Sequence, residues 1–388
     1  MTQDQRSAEL RDLRRGLLAA GDGQVRRLVA LVDRVGMRGE ADALIAPLRP
    51  RLAMLRPPRP LSLVRLLFLP LDPLILPPSA WRPGAPGIPR VALRALAEVA
   101  AAGLGPEADA LAAAIEGRTT QESEVVAAAG VRLWPQSAAV LAAAAAPPGW
   151  TEASGLHVAE FAPLASALGV LLAEGPALYR LAMPLVDPPA SAEGERLLDL
   201  AAAAGPLPLA MMLALLLARL PQHGHLLQYA DDLAARGSDA GRMAPERALD
   251  FLLAGVAAEA QSSVDDLRRA ALLLETLVTQ SLRRPARAAK LEQARRHLDD
   301  TCRTAFAATA ASLAAPPHAD AMDPEATARQ MRRLDAVGRR LGGAAFYDST
   351  LKQTAEQLGR QPGLSRIARL RLAEILLGPD AALALLGA

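Results

Sequence analysis

The apolar residues of this chain are mostly alanine and leucine, and this constrains the fold more than any other feature of the sequence. Apolar residues make up 51% of the 388 residues, but aromatic side chains account for only 3%. Ala, Leu and Arg are strong helix formers, whereas strands are rich in β-branched and aromatic residues. No segment shows alternating β-branched residues bounded by turns. The sequence therefore predicts an all-α fold.

Glycine and proline divide this helical sequence into short segments. Glycines such as Gly117 and Gly205 follow a helical run, and prolines such as Pro106 and Pro208 precede one, as expected at helix ends. Short links favour antiparallel neighbours, so we expect antiparallel helical hairpins. No fixed repeat period or repeat consensus is present. An irregular α-solenoid and a set of packed bundles therefore remain alternatives.

Composition and turn residues predict four regions along the chain. Residues 1–60 are expected to form a basic helical hairpin, and residues 61–88 a Pro-rich apolar strap across the helices. Residues 89–261 are expected to form an acidic Ala/Leu-rich helical domain, and residues 262–388 a C-terminal bundle of longer helices. That last region contains apolar residues at alternating spacings of three and four, at Val264, Leu267, Ala271, Leu274 and Val278. Two heptads are too few for a sustained coiled coil, so an antiparallel bundle is predicted.

The charges fall into three blocks of alternating sign. Residues 1–100 carry a net +7, residues 101–260 a net −10 and residues 261–388 a net +5, within a total of +2. Such blocks can steer partners, or they can simply be solvated faces. Arg outnumbers Lys 41 to 2, a bias typical of a bacterium with a GC-rich genome. The number of arginines is therefore poor evidence for nucleic-acid binding.

One stretch is long enough to be considered as a membrane span. Nineteen residues from Leu200 to Ala218 lack charge, but Gly205 and Pro208 interrupt them. The remaining helix is roughly 20 Å long, too short for a hydrocarbon core of ~30 Å. We expect a buried helix and no membrane span. Because the polar N-terminus lacks the apolar core of a signal peptide, a cytoplasmic location is expected.

The Pro-rich segment is the most individual stretch of the chain. Its prolines remove amide donors and fix φ, so no ordinary helix or central strand should pass through residues 70–78. The segment can pack across the helices as a strap, with Asp72 paired with an arginine, or it can dock a partner. Contact with a membrane surface is a third interpretation, which the charge of Asp72 disfavours. Because Trp and Arg are common anchors, the docking interpretation places a protein-binding site at Phe68, Trp81, Arg82 and Arg90.

Residues 350–377 look like the start of a DNA-binding helix-turn-helix. Ala355 precedes Gly359 by four residues, which is the spacing expected at the turn. Arg360, Arg366 and Arg369 would then face phosphates from the second helix. Ser365 stands where an apolar residue is expected, and residues 362–363 lengthen the turn. DNA binding is therefore an alternative, and nucleic acid is not the expected partner.

Residues that could hold a metal or perform catalysis occur only as fragments. His157 and Glu160 share a helical face, as do His225 and Asp232. Carboxylate-bridged metal sites in bundles need two Glu-x-x-His pairs, which this chain lacks. Neither a nucleophile elbow nor a phosphate-binding glycine loop is present. We therefore expect no catalytic residue, cofactor or metal, although a helical enzyme without a recognisable motif is a further alternative.

The absence of a reactive constellation favours an interaction function. The sequence predicts a non-enzymatic helical scaffold or adaptor that mediates protein–protein interaction. Its unidentified protein partner would supply a helix or an extended segment to an apolar groove rimmed by arginine. The long C-terminal helices could also pair between two chains and form a homo-oligomer.

Overall fold

The protein is almost entirely helical, which confirms the predicted all-α fold. The computed structural model describes residues 60–77, 80–183, 191–220, 223–237, 239–259, 264–281, 284–315, 323–361 and 364–386. The predicted N-terminal hairpin therefore lies outside the described residues, apart from Pro60. Hairpin and solenoid architectures stay predictions.

The chain divides into two compact units. Residues 1–61 and 115–125 form one unit, and residues 62–114 and 126–388 form the other. In the described part of the first unit, Pro60 forms an antiparallel bridge with Thr119. The amide of Leu61 donates a hydrogen bond to the carbonyl of Arg118 at 2.7 Å. The boundaries predicted after residues 88 and 261 both fall within the second unit, and the four-region division stays a prediction.

The Pro-rich strap opens the second unit. Helix α1 (Leu63–Phe68) leads into a 3₁₀ helix (Leu69–Leu74). A short strand, β1 (Ile75–Leu76), then pairs in parallel with β2 (Ile88–Pro89). No α-helix runs through residues 69–77, as the prolines predict. The strap contributes to the core through side chains that are at most 2% exposed, namely Leu66, Leu67, Phe68, Leu71 and Leu74.

Short helices form the middle of the chain. They are α2 (Leu93–Leu104), α3 (Pro106–Ala114), α4 (Ser123–Ala143), α5 (Trp150–Ser154), α6 (Phe161–Ala173), α7 (Gly175–Ala182), α8 (Ser191–Ala204), α9 (Pro206–Arg219), α10 (His223–Arg236), α11 (Asp239–Arg242) and α12 (Ala244–Glu259). Trp134 of α4 is fully buried, and its Nε1 donates to the carbonyl of Leu66 at 2.8 Å. This bond ties the strap to the helices.

Helix α9 is the most buried element of the described chain. Every side chain from Pro208 to Leu217 is buried, and the helix packs against α6, α8, α10 and α12. This confirms the buried helix expected from the uncharged stretch.

The described residues show no clear membrane span. Among the described helices, only α4 is long and apolar enough to cross a membrane as a single helix, and 44% of its apolar window is buried in the protein. Residues 158–173 and 175–182 would qualify only as one span bent by 70°.

Helices of 8 to 30 residues form the C-terminal part. They are α13 (Val264–Ser281), α14 (Pro285–Ala314), α15 (Pro324–Arg340), α16 (Ala344–Arg360), α17 (Arg366–Leu377) and α18 (Pro379–Leu386). Helix α14 packs against α13, α15 and α16. In the predicted apolar seam of α13, Leu267, Ala271 and Leu274 are buried. Cys302 of α14 packs as an apolar residue, with no exposed surface.

Candidate functional site

An apolar groove lies beside the strap, between α9, α10, α12 and α13. Its volume is about 590 Å³, which falls within the range of ~300–1,000 Å³ typical of ligand sites. It is a groove open to solvent and not an enclosed cavity. The lining residues are Pro73, Leu217, Ala218, His223, Phe251, Leu252, Gly255, Val256, Arg269, Ala270, Leu272, Leu273 and Thr276. We call this feature the apolar groove.

Two helix faces form the main walls of the apolar groove. Phe251 and Gly255 lie one turn apart on α12, and Arg269, Leu272 and Thr276 follow one another on α13. Spacings of three and four residues keep such side chains on one helix face. The seven-residue step along the α13 wall corresponds to a length of about 10 Å, or two helical turns. Leu272 remains 39% exposed, so this wall presents apolar surface to solvent.

Few polar groups line the apolar groove. Arg269 is the one charged residue among the described lining residues, and it pairs with Asp266 in the previous turn. Burial lowers the pKa of His223 below its usual range, and a hydrogen bond to the backbone of Leu217 partly offsets this effect. The Nδ1 atom of His223 is buried and has no hydrogen-bond partner among the described residues. The groove is therefore apolar, with a neutral imidazole in its wall and one cation.

The strap runs along the edge of the apolar groove. Pro73 lines it directly. A methyl group built on Gly87 would lie 2.8 Å from the ring of Phe251, so the backbone at Gly87 is pressed against the groove wall. Trp81 donates its indole N–H to the carbonyl of Gly87 at 3.1 Å. These contacts connect Trp81 to the groove through a single intervening residue.

The structure places the four predicted docking residues in different environments. Trp81 is half-buried, and the exposed Arg82 donates to its carbonyl at 2.8 Å. Arg90 is exposed at the start of a 3₁₀ helix (Arg90–Ala92). Phe68 is only 2% exposed and belongs to the core, so its side chain offers no surface to a partner. The docking prediction therefore keeps Trp81, Arg82 and Arg90 as its surface residues and stays a prediction.

The charge of Asp72 affects the pKa of Arg219, a residue that no sequence pattern identified. Asp72 itself is exposed. Burial lowers the pKa of Arg219 to about 10, and the charge of Asp72 partly offsets this effect. The guanidinium of Arg219 donates to the carbonyl of Leu178 at 2.8 Å. Arg219 therefore joins α9 to α7 next to the groove residue Ala218.

The turn expected near residue 359 lies elsewhere. Helix α16 continues to Arg360 and α17 begins at Arg366, so Gly359 is helical and the helix-turn-helix spacing is not formed. Arg360 and Arg366 are exposed. Arg369 instead donates to the carbonyls of Gly359 and Leu364, both at 3.1 Å. Arg369 therefore caps the end of α16 with two of its five N–H donors, and DNA binding by these arginines stays a prediction.

The histidines weighed as fragments of a metal site interact with nearby polar groups. His157 and Glu160 form a capping box at the start of a 3₁₀ helix. His225 Nε2 lies 2.6 Å from a carboxylate oxygen of Glu195. Within the described part of the chain, no group of three or more His, Cys, Asp or Glu side chains could hold a metal ion.

A buried ion-pair cluster holds three helices together. Arg287 of α14 makes a bidentate pair with Asp231 of α10, with both N–O distances at 2.9 Å. The same guanidinium donates to Glu246 of α12 at 2.8 Å. Arg287 and Asp231 are 4% and 5% exposed. Because these partners are 56 and 41 residues apart, no sequence pattern could have identified this cluster.

The C-terminal helices carry exposed apolar side chains. Ile367 is 73% exposed and Leu383 is 61% exposed. The predicted pairing of two chains through these helices stays a prediction.

No known protein-family model matches the sequence, and no curated protein or solved structure shows significant similarity to it.

Proposed function

We propose that this protein is a non-enzymatic helical adaptor whose apolar groove binds a short amphipathic helix of a partner protein. The observation that carries this proposal is the pair of helix faces, on α12 and α13, that line one open apolar groove. A groove between two helices accepts a third helix, because side chains spaced by three and four residues fit between such walls.

The size of the apolar groove sets the length of its occupant. About 10 Å of wall matches two helical turns, so apolar residues at positions i, i+3 or i+4, and i+7 of the partner can enter. Burying three leucine-sized side chains contributes roughly 5–9 kcal/mol before the cost of association, which is at least ~4 kcal/mol. At most about 5 kcal/mol remains, which corresponds to weak, reversible binding with a dissociation constant of roughly 0.2 mM or weaker.

Charge specifies the partner further. Arg269 is the charged residue of the described lining, and its side chain is 71% exposed. An acidic residue beside the apolar face of the partner helix would complement this guanidinium. This charge pair would fix the orientation of the partner helix more than it would raise the binding affinity, because exposed charge pairs contribute at most about 1 kcal/mol.

A selection experiment tests the groove assignment even though the partner is unidentified. A phage library of short helical peptides is selected for binding to the wild-type protein, with counter-selection against Leu272→Asp. We expect enrichment of peptides with apolar residues at i, i+3 or i+4, and i+7 beside an acidic residue. Fluorescence polarisation should then show at least about tenfold weaker binding to Leu272→Asp, because a charge would occupy the apolar wall.

Val131→Asp provides the matched control. Val131 lies on α4, outside the groove lining, and is 56% exposed, so the selected peptide should bind this variant as it binds the wild type. Equal binding to Leu272→Asp and the wild type would contradict the proposal. A selection that enriched no helical peptides would also contradict the proposal. Binding of a short-chain fatty acid to the wild type but not to Leu272→Asp would show that the groove holds a small amphiphile instead.

A further inference from the structure

A second, smaller cleft lies between α13 and α15. Its volume is about 200 Å³. Three of its lining residues are arginines: Arg268 from α13, and Arg333 and Arg340 from α15. The other lining residues are Val264, Asp265, Ala336 and Val337. We call this feature the arginine cleft.

Ion pairing on the two helices singles out Arg268 and Arg333. The ion-paired arginines of α15 are Arg329 with Glu325, Arg332 with Asp335, Arg339 with Asp335 and Asp348, and Arg340 with Glu275. On α13, Arg269 pairs with Asp266. Neither Arg268 nor Arg333 has an ion pair with any described residue. The two arginines of α13 and α15 that lack an acidic partner among the described residues therefore line the same cleft.

The charge in the arginine cleft is unbalanced. Three guanidinium groups face one carboxylate, that of Asp265, while Glu275 already engages Arg340 at 3.1 Å. The three arginines are exposed to solvent. Like charges held close together still repel one another, and a bound anion reduces this repulsion. The cleft also meets the first turn of α13, where the helix dipole favours negative charge. Asp265 lies in that turn and opposes an anion, but the guanidinium groups outnumber it. Because attraction to this excess positive charge grows with the charge of the ligand, a doubly charged anion should bind better than a singly charged one.

The guanidinium groups and the size of the cleft define the class of ligand. The planar fork of Arg donates two parallel hydrogen bonds to phosphate oxygens. A space of about 200 Å³ lies below the range of ~300–1,000 Å³ that holds drug-sized ligands. It suits a single tetrahedral group.

We propose that the arginine cleft binds a phosphate group, held by Arg268 from one helix and Arg333 from the other, with Arg340 adding positive charge. The phosphate links α13 to α15. This site is independent of the occupant of the apolar groove, although α13 contributes residues to both.

Calorimetric titration of the full chain with inorganic phosphate, at constant ionic strength maintained with chloride, tests this proposal. The wild type should show saturable binding of one phosphate. Arg268→Gln and Arg333→Gln should each weaken binding about tenfold or more, because each removes charge-assisted hydrogen bonds. Arg329→Gln is the matched control, since it lies on α15 outside the cleft, and it should bind phosphate like the wild type.

The source of the phosphate is distinguished by a second titration with a phosphoserine peptide. Tighter binding of the peptide than of inorganic phosphate, lost in the Arg268→Gln/Arg333→Gln variant, identifies a phosphorylated protein as the ligand. Equal affinities identify free phosphate or a small phosphate ester. Circular dichroism verifies that the variants are folded, and Arg333→Lys, which keeps the charge but loses the fork, should also bind more weakly. No saturable binding by the wild type, or undiminished binding by the double variant, would overturn the proposal.

Discussion

Gly338 lies inside α15, and the ring of Tyr347 from α16 fills the space that a side chain would need. A Cβ atom built on Gly338 would approach the ring far more closely than the 3.0 Å that real Cβ atoms keep from their neighbours. The ring has no room to withdraw, because Tyr347 is fully buried. It packs edge-on against Phe306 at 4.8 Å and against Phe346 at 5.3 Å between centroids. Gly338→Ala must therefore displace a packed aromatic cluster.

The net effect of Gly338→Ala combines two opposing contributions. Overpacking a core costs about 1–3 kcal/mol, and the rigid surroundings place this case at the upper end of that range. Replacing Gly by Ala inside a helix contributes about 1 kcal/mol in the favourable direction. We therefore expect the free energy of unfolding to fall by about 2 kcal/mol. Urea unfolding followed by circular dichroism should show a lower midpoint with an unchanged slope.

Gly255→Ala is the matched control for this experiment. Gly255 lies inside α12, and a Cβ atom built there would meet no other atom within 4 Å. The substitution should raise the free energy of unfolding by about 0.4–1 kcal/mol, because it restricts the unfolded chain without a clash. In a Tyr347→Leu background, Gly338→Ala should lose most of its cost. A Gly338→Ala variant as stable as the wild type would refute the packing of Tyr347 against Gly338.

Two further predictions concern buried polar groups. Asp231 is 5% exposed, and in Arg287→Met its remaining ion-pair partner among the described residues is the half-exposed Arg284 at 3.1 Å. The free energy of unfolding, measured by urea unfolding, should therefore fall by about 3–5 kcal/mol. The double variant Arg287→Met/Asp231→Leu should recover most of this loss. If Arg287→Met alone were as stable as the wild type, the buried ion-pair cluster would be contradicted. Burial lowers the pKa of His223 below its usual value, so the unfolded chain binds the proton first and stability falls as the pH drops below about 6.5. Thermal melting of His223→Leu should lack this part of the pH dependence, and an unchanged pH dependence would count against a buried neutral imidazole.

The helices of the C-terminal part could be predicted closely from the sequence. Turn residues and the spacing of apolar residues predict helices over residues 263–282, 286–314, 324–341, 344–359 and 363–377. The bounds of α13 to α17 agree with these ranges to within three residues at each end. Local chemistry explains this success. Asp323, for example, precedes Pro324 and Glu325, a sequence typical of a helix N-terminus, and its side chain accepts from the amide of Glu325 at 3.1 Å.

The candidate sites were much harder to predict. The prolines mark the strap as an irregular segment. No local sequence pattern reveals that the side chain of Phe68 points into the core. Gly359 matched a turn pattern, yet it lies within α16. Neither the apolar groove nor the arginine cleft was identified, because each combines residues from helices that are separate in the sequence.

The sequence by itself determined the fold class and the ends of many helices. Helix propensity, end caps and the spacing of apolar residues act over a few positions, so these properties can be read locally. Only the tertiary structure decided which faces meet. The bond from Trp134 to Leu66 spans 68 residues, and the pair of Arg287 with Asp231 spans 56. Such contacts depend on how each helix is rotated about its axis and packed against its neighbours, and so does every groove between them.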